Sequence, residues 1–143
     1  MEKILGIQLI RISTMIRREL DNQADGKMLH KATGGNGWIM KYLARNEDHD
    51  VYQKDIEEHF SVTRSTVSKV VKLMEEKGLI QRLPVPGDAR LKKLVLTEQG
   101  RAVHQMADAN MVRMEARLAK GFSDEELEQL FDFLQRLQEN LKE

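Results

Sequence analysis

The sequence contains no cysteine, which excludes disulfide cross-links, thiolate zinc sites, cysteine nucleophiles and thiol-based redox sensing. Its only two prolines, Pro84 and Pro86, share one short stretch, so nothing elsewhere interrupts helices by losing a backbone donor. Aromatic residues are 5% of the 143, and no uninterrupted apolar run approaches the roughly 20 residues of a membrane span. Residues 1–20 are apolar, but Arg11, Arg17, Arg18 and Glu19 punctuate them and no small-residue cleavage site follows. The segment therefore reads as neither span nor signal peptide, and the protein is expected in the cytoplasm without membrane contact. Catalytic motifs are missing too. No serine stands in a Gly-x-Ser-x-Gly elbow, and the glycines around Asn36 follow no strand, so they read as a loop and not a phosphate cradle. His30, His49, His59 and His104 are scattered without a ligand-type pair. We expect no enzyme activity, no catalytic residue, no metal and no cofactor.

What is present suits a folded chain: 41% hydrophobic and 32% charged residues. Net charge is zero, but residues 1–53 carry +1, residues 54–96 carry +3 and residues 97–143 carry −4. A basic centre before an acidic tail fits a polyanion-facing surface, and equally fits ordinary scatter.

Leu5, Leu9, Ile12, Ile16 and Leu20 mark one face of a first helix, widened by Ile4, Ile7, Ile10 and Met15. Its cover is either the rest of the chain or a second chain. A loop follows, broken at Gly34, Gly35 and Gly37, before a short apolar helix with Trp38, Ile39, Met40, Tyr42 and Leu43. Residues 53–59 form the next helix, with Ile56 and Phe60 inward. Ser61 and Val62 make a tight connection, and Thr63 caps a helix from Arg64 to about Lys77 whose buried stripe is Val67, Val70, Val71 and Met74. Gly78 ends it. The period then changes: residues 79–85 and 91–96 read as strands joined by a turn of Pro86, Gly87, Asp88 and Ala89. Thr97 caps a long helix to about Lys120 with Val103, Met106, Asn110, Met111, Met114 and Leu118 inward. After Gly121, Ser123 and Glu126 form a capping box. The last helix carries Leu127, Leu130, Phe131, Leu134, Leu137 and Leu141 near heptad spacing.

Helix, short helix, tight turn, capped helix and hairpin make a winged helix-turn-helix. Three stretches resemble the MarR-type (multiple-antibiotic-resistance) bacterial transcriptional regulators. They are Gln53, Lys54, Asp55 and Ile56 leading to residues 63–69; residues 73–82; and Asp88, Ala89 and Arg90 followed by residues 94–100. The resemblance covers nearly the whole chain. It departs at Glu57, where the family has a small residue, and at Ala89, where the wing often has a second basic residue. The expected fold class is mainly α with a small β-hairpin wing. One domain spans residues 1–143: a DNA-binding region at 32–96, and helical dimerisation regions at 1–31 and 97–143.

A helix entering the major groove offers its N-terminal side chains to base edges. Arg64, Ser65, Ser68 and Lys69 lie opposite the apolar stripe; Arg or Lys can pair with guanine, and Ser can donate or accept. Thr66 and Gln53, near helix starts, are candidates for phosphate contacts. Arg90 at the wing tip is placed to enter a minor groove, with Asp88 holding its guanidinium and Lys92 and Lys93 adding phosphate attraction. Lys69 and Lys72 also read as solvated charges on an amphipathic helix, and Asp88 and Arg90 as a surface ion pair. The resemblance implies a homodimer joined by the terminal helices, a palindromic double-stranded operator with half-sites about 34 Å apart, and a repressor released by a small-molecule effector. Trp38, Met40, Tyr42, Met106 and Met111 are the candidate effector pocket, although a Met and aromatic cluster at helical spacing is more often core. The alternative is a winged-helix protein-interaction module that binds no DNA, kept open by Glu57 and Glu58.

Overall fold

The computed structural model describes residues 3–142 and orders its elements as α1 (Leu5–Asn22), α2 (Gly26–Thr33), α3 (Gly37–Arg45), α4 (Gln53–Phe60), α5 (Arg64–Glu76), β1 (Ile80–Val85), β2 (Asp88–Leu96), α6 (Glu98–Ala119) and α7 (Asp124–Asn140). Mainly helical with one antiparallel hairpin, it is the expected class. Met1, Glu2 and Glu143 of the expected terminal regions lie outside the described residues. The chain divides into two compact units, Met1–Met111 and Val112–Glu143, with the boundary inside α6.

In the first unit the core is built where the sequence alternates or steps by three and four. α3 supplies Ile39, Met40 and Leu43, α4 supplies Ile56, and α5 supplies Val67, Val70, Val71 and Met74. Val51, Leu79, Ile80, Leu94 and Leu96 close it. Fully burying side chains of this size is worth about 1.5–3 kcal/mol each. β1 and β2 pair from Ile80↔Leu96 to Pro84↔Lys92, and an irregularity at Pro84 and Val85 ends the regular ladder near the tip. The expected four-residue turn is shorter here, since β2 already begins at Asp88. At the base of the hairpin the Leu94 amide donates to the Val51 carbonyl (2.8 Å), so the segment before α4 joins the sheet by one bond.

Residues 26–33 form α2, where the sequence reads as a loop. Two features conceal it. Eight residues give too few turns for a period, with Leu29 the one buried large apolar residue. Its N-cap, Asp25, adopts a left-handed conformation (φ 62°), which ordinarily marks a helix's end. α2 sits very close to α1: a Cβ at Gly26 would meet the Leu20 carbonyl oxygen at 2.2 Å.

The helix starts follow their caps. Thr63 Oγ1 accepts from the Thr66 amide (3.3 Å) and Ser123 Oγ from the Glu126 amide (3.1 Å). Thr97 works twice, accepting from the Gly100 amide (2.9 Å) and donating to the Gly78 carbonyl (2.6 Å), which ties the start of α6 to the end of α5. Removing the Thr63 hydroxyl is expected to cost about 1 kcal/mol; urea unfolding of Thr63→Ala measures it.

No residue of α1 or α7 is buried. Ile10 is 69% exposed and Phe131 62%. Of the inward residues expected on α6, Asn110 and Met114 are buried and Leu118 is exposed.

Candidate nucleic-acid interface

α5 is held by its apolar side and open on the other. Val67 and Val71 are fully buried, while Arg64, Ser65, Thr66, Ser68, Lys69 and Lys72 are all exposed. The turn before it is tight. Ser61 closes α4 in the left-handed region (φ 53°), and the Val62 amide donates to the Glu57 carbonyl (3.1 Å). At the first turn of α5 the Thr66 hydroxyl lies 2.9 Å from Thr63 Oγ1 and the Ser65 hydroxyl 3.2 Å from it. Thr66 thus spends part of its hydrogen-bonding capacity on the cap. Gln53 opens α4 and is half-buried, and its neighbour Asp55 accepts from the Tyr52 amide (2.8 Å).

The wing differs from its expected detail at one contact. Asp88 Oδ1 accepts from the Arg90 backbone amide (2.9 Å), and no Asp88–Arg90 ion pair occurs among the described residues. The carboxylate therefore shapes the tip backbone and leaves the Arg90 guanidinium free. Asp88, Arg90 and Lys92 are exposed; Lys93 is instead drawn to Asp50 (3.5 Å) and Arg82 to Glu75 (3.3 Å). Cations of the hairpin thus fall into two classes, those paired at its base and those open toward the tip. Glu57 is half-buried, and Glu58 lies 3.9 Å from Lys54.

Within the first unit a cavity of about 620 Å³ opens between α1, α2, α3 and the first half of α6. Ile16, Leu20, Leu29 and Met111 give it apolar walls, and Trp38 gives it an aromatic one. Arg17 and Lys41 bring cationic groups that form no ion pair among the described residues; His30 lines it too, 3.3 Å from Asp21. Of the five residues expected there, Trp38 and Met111 line the cavity. Met40 is 1% exposed and belongs to the core, Tyr42 packs its ring against His59 and Phe60, and Met106 is half-buried away from the cavity wall. Trp38 and Lys41 sit three apart toward the cavity, whereas Met40 points into the core, the alternative the sequence also offered for it. Arg17, Lys41, His30 and His104 were missed because the walls come from four separate elements, one of them the unrecognised α2.

The sequence model of the MarR family matches residues 36–91, from the start of α3 through the wing tip. The fold is similar to that of the transcription regulator MarR from Oenococcus oeni PSU-1, at 28% identity and a TM-score of 0.76, covering 95% of this chain and 99% of that one. It is similar to MepR of S. aureus, solved as a DNA complex, at 26% identity and a TM-score of 0.84, covering 97% of this chain and 99% of that one. It is also similar to the heme sensor protein PefR from Streptococcus agalactiae, solved with heme, at 26% identity and a TM-score of 0.69, covering 98% and 95%.

Proposed function

We propose that the chain is a winged-helix transcription regulator of the MarR family and not an enzyme: a homodimeric, sequence-specific repressor of a palindromic double-stranded operator, released by a small molecule. The observation that carries the reading is α5: a helix anchored by four buried residues, whose capped N-terminal turns expose Arg64, Ser65, Ser68 and Lys69 together. Those side chains take the base edges of a major groove. Gln53, Thr66 and Lys92 take phosphates, and the free Arg90 guanidinium takes the flanking minor groove. Likeness to MepR, solved on DNA, supports this. Residues 32–96 are the DNA-binding region, and residues 1–31 and 97–143 join the two copies. The uncovered apolar side chains of α1 and α7 favour that joining, because a self-complementary contact around a two-fold axis covers them in both copies at once. The cavity walled by Trp38 and Met111 is the effector site. Its apolar walls, with Arg17 and Lys41 set among the carboxylates of Asp21 and Asp108, favour an amphipathic ligand with a polar edge, a description that heme, the ligand of PefR, also meets. Among the described residues no helix is long and apolar enough to cross a membrane, and the regulator works in the cytoplasm, where the operator is.

The test is fluorescence anisotropy on a labelled duplex from the protein's own promoter, against a shuffled duplex, over a salt series. Preferential binding that weakens steeply with salt is expected. Lys69→Ala combined with Arg90→Ala should lose about 2–4 kcal/mol, or 30- to 1,000-fold, and flatten the salt slope. Equal affinity of this variant and the parent chain would remove both residues from the interface.

A further inference from the structure

The cavity and the recognition helix α5 share a wall. The segment 31–38, the end of α2 and the glycine loop into α3, lines the cavity through Thr33, Gly34, Gly35, Gly37 and Trp38. The same segment touches the helix-turn-helix at three places. Gly34, at φ +60°, lies so close to α5 that a Cβ there would stand 3.3 Å from Leu73 Cδ2. The Lys77 ammonium, at the C-cap of α5, donates to the Lys31 carbonyl. At the other end of the segment the Trp38 ring meets Phe60, the last residue of α4, edge-on at 4.6 Å. Asn36 braces the segment internally: its Nδ2 donates to the Gly34 carbonyl (3.1 Å), and its Oδ1 accepts from Trp38 Nε1 (3.3 Å). The segment is therefore bound to itself and to both helices of the unit that meets DNA, at the end of α4 and the end of α5, while its other surface faces the cavity.

We infer that residues 31–38 are the relay between the cavity and α5: a molecule filling the cavity displaces the braced loop, which shifts α5 through Leu73 and Lys77 and α4 through Phe60. This rests on the DNA-binding reading above and adds to it the residues that transmit. A relay needs two arrangements whose balance both ends bias, and the loop has the means. Gly34 and Gly35 hold positive φ, so the segment turns where no side chain resists rotation. Coupling of this kind is reciprocal, so DNA binding should also change the surroundings of Trp38, the only tryptophan in the chain.

The absence of cysteine allows the cavity to be filled without knowing its ligand. Ala107 is a half-buried cavity-lining residue. In Ala107→Cys the new thiol adds across the double bond of N-phenylmaleimide, which places one aromatic group in the cavity; mass spectrometry verifies the adduct. Duplex affinity and Trp38 emission are then measured on the full chain, before and after alkylation. The adduct should shift Trp38 emission and weaken duplex binding at least fivefold. With Lys77→Met and Leu73→Ala added, the same adduct should still shift Trp38 emission but change duplex binding less than twofold. Lys77→Met alone, which alters only an exposed side chain, should give an intermediate loss and serves where the Leu73 truncation does not fold. A fivefold loss that persists unchanged in the relay variants overturns the inference, as does an adduct that leaves duplex binding within twofold of the unlabelled protein. Failure of the unlabelled chain to prefer its duplex over a shuffled one instead overturns the DNA-binding reading, and the relay with it.

Discussion

Gly100→Ala is expected to destabilise the chain by about 2–4 kcal/mol. Gly100 is in the first turn of α6, where the helix passes against the chain entering β1. A Cβ on Gly100 would stand 2.1 Å from the Leu79 carbonyl oxygen and 3.0 Å from its carbonyl carbon. Both are backbone atoms, so no rotamer change relieves the overlap. The Leu79 oxygen also accepts from the Thr97 amide (3.1 Å), so moving it breaks a bond at the same junction. Leu79 and Leu96 are both buried, and separating α6 from the hairpin opens the core around them. Relief by backbone movement in a packed site costs about 1–3 kcal/mol, occasionally more. The lost hydrogen bond adds about 1 kcal/mol. Against a total stability of about 5–15 kcal/mol that is a large fraction. Gly37→Ala is the matched control: nothing stands within 4 Å of its added Cβ, φ is not positive, and the position is helical. It should be neutral or stabilise by about 0.5–1 kcal/mol. Urea denaturation of the two variants should separate them by more than 2 kcal/mol, and equal midpoints would refute the packing argument.

The reason this junction escaped the sequence is the same reason the cavity did. Gly100 reads as an ordinary helical glycine; only tertiary structure brings Leu79 against it. What the sequence did reveal were features set by near neighbours. The apolar runs on either side of the turn at Pro86 and Gly87 announced the hairpin, the step of three and four from Val67 to Met74 announced the buried side of α5, and Thr63, Thr97 and Ser123 announced three helix starts. The exposed face of α5 was legible because it is the complement of that buried stripe. The role of Asp88 was read one atom wrongly. A carboxylate two residues before an arginine can take either its guanidinium or its backbone amide, and the tight turn at Gly87 favours the amide. The cavity needed α2, whose single buried large apolar residue leaves no period, and it needed Arg17 and His104, separated by most of the chain.

The apolar faces outside that core lead to the second large effect. For the homodimer proposed above, Ile10→Glu is expected to give a monomer and to reduce affinity for a two-half-site duplex by about 100-fold or more. Ile10 is 69% exposed within one chain, and Leu5, Ile7, Ile12 and Met15 on the same helix are 43–59% exposed. A glutamate there meets water in the isolated chain and costs the fold almost nothing, so helix content by circular dichroism should be unchanged. In a contact between copies the two-fold axis duplicates the change. Two carboxylates are then buried without partners, a penalty of several kcal/mol each. The loss carries to DNA through geometry. Once one α5 of a dimer is docked, the other reaches its half-site at an effective concentration near millimolar, which raises overall affinity about 10²–10⁴-fold with no new contact. A monomer loses that gain and nothing else, because Arg64, Ser65, Ser68 and Lys69 are untouched. Sedimentation equilibrium and anisotropy on duplexes with one and two half-sites decide the matter together. The variant should bind the single half-site as the parent chain does and lose only the preference for two. An Ile10→Glu protein that remains dimeric would place the joining surface off α1, and one that is monomeric yet still prefers two half-sites would separate dimerisation from operator recognition.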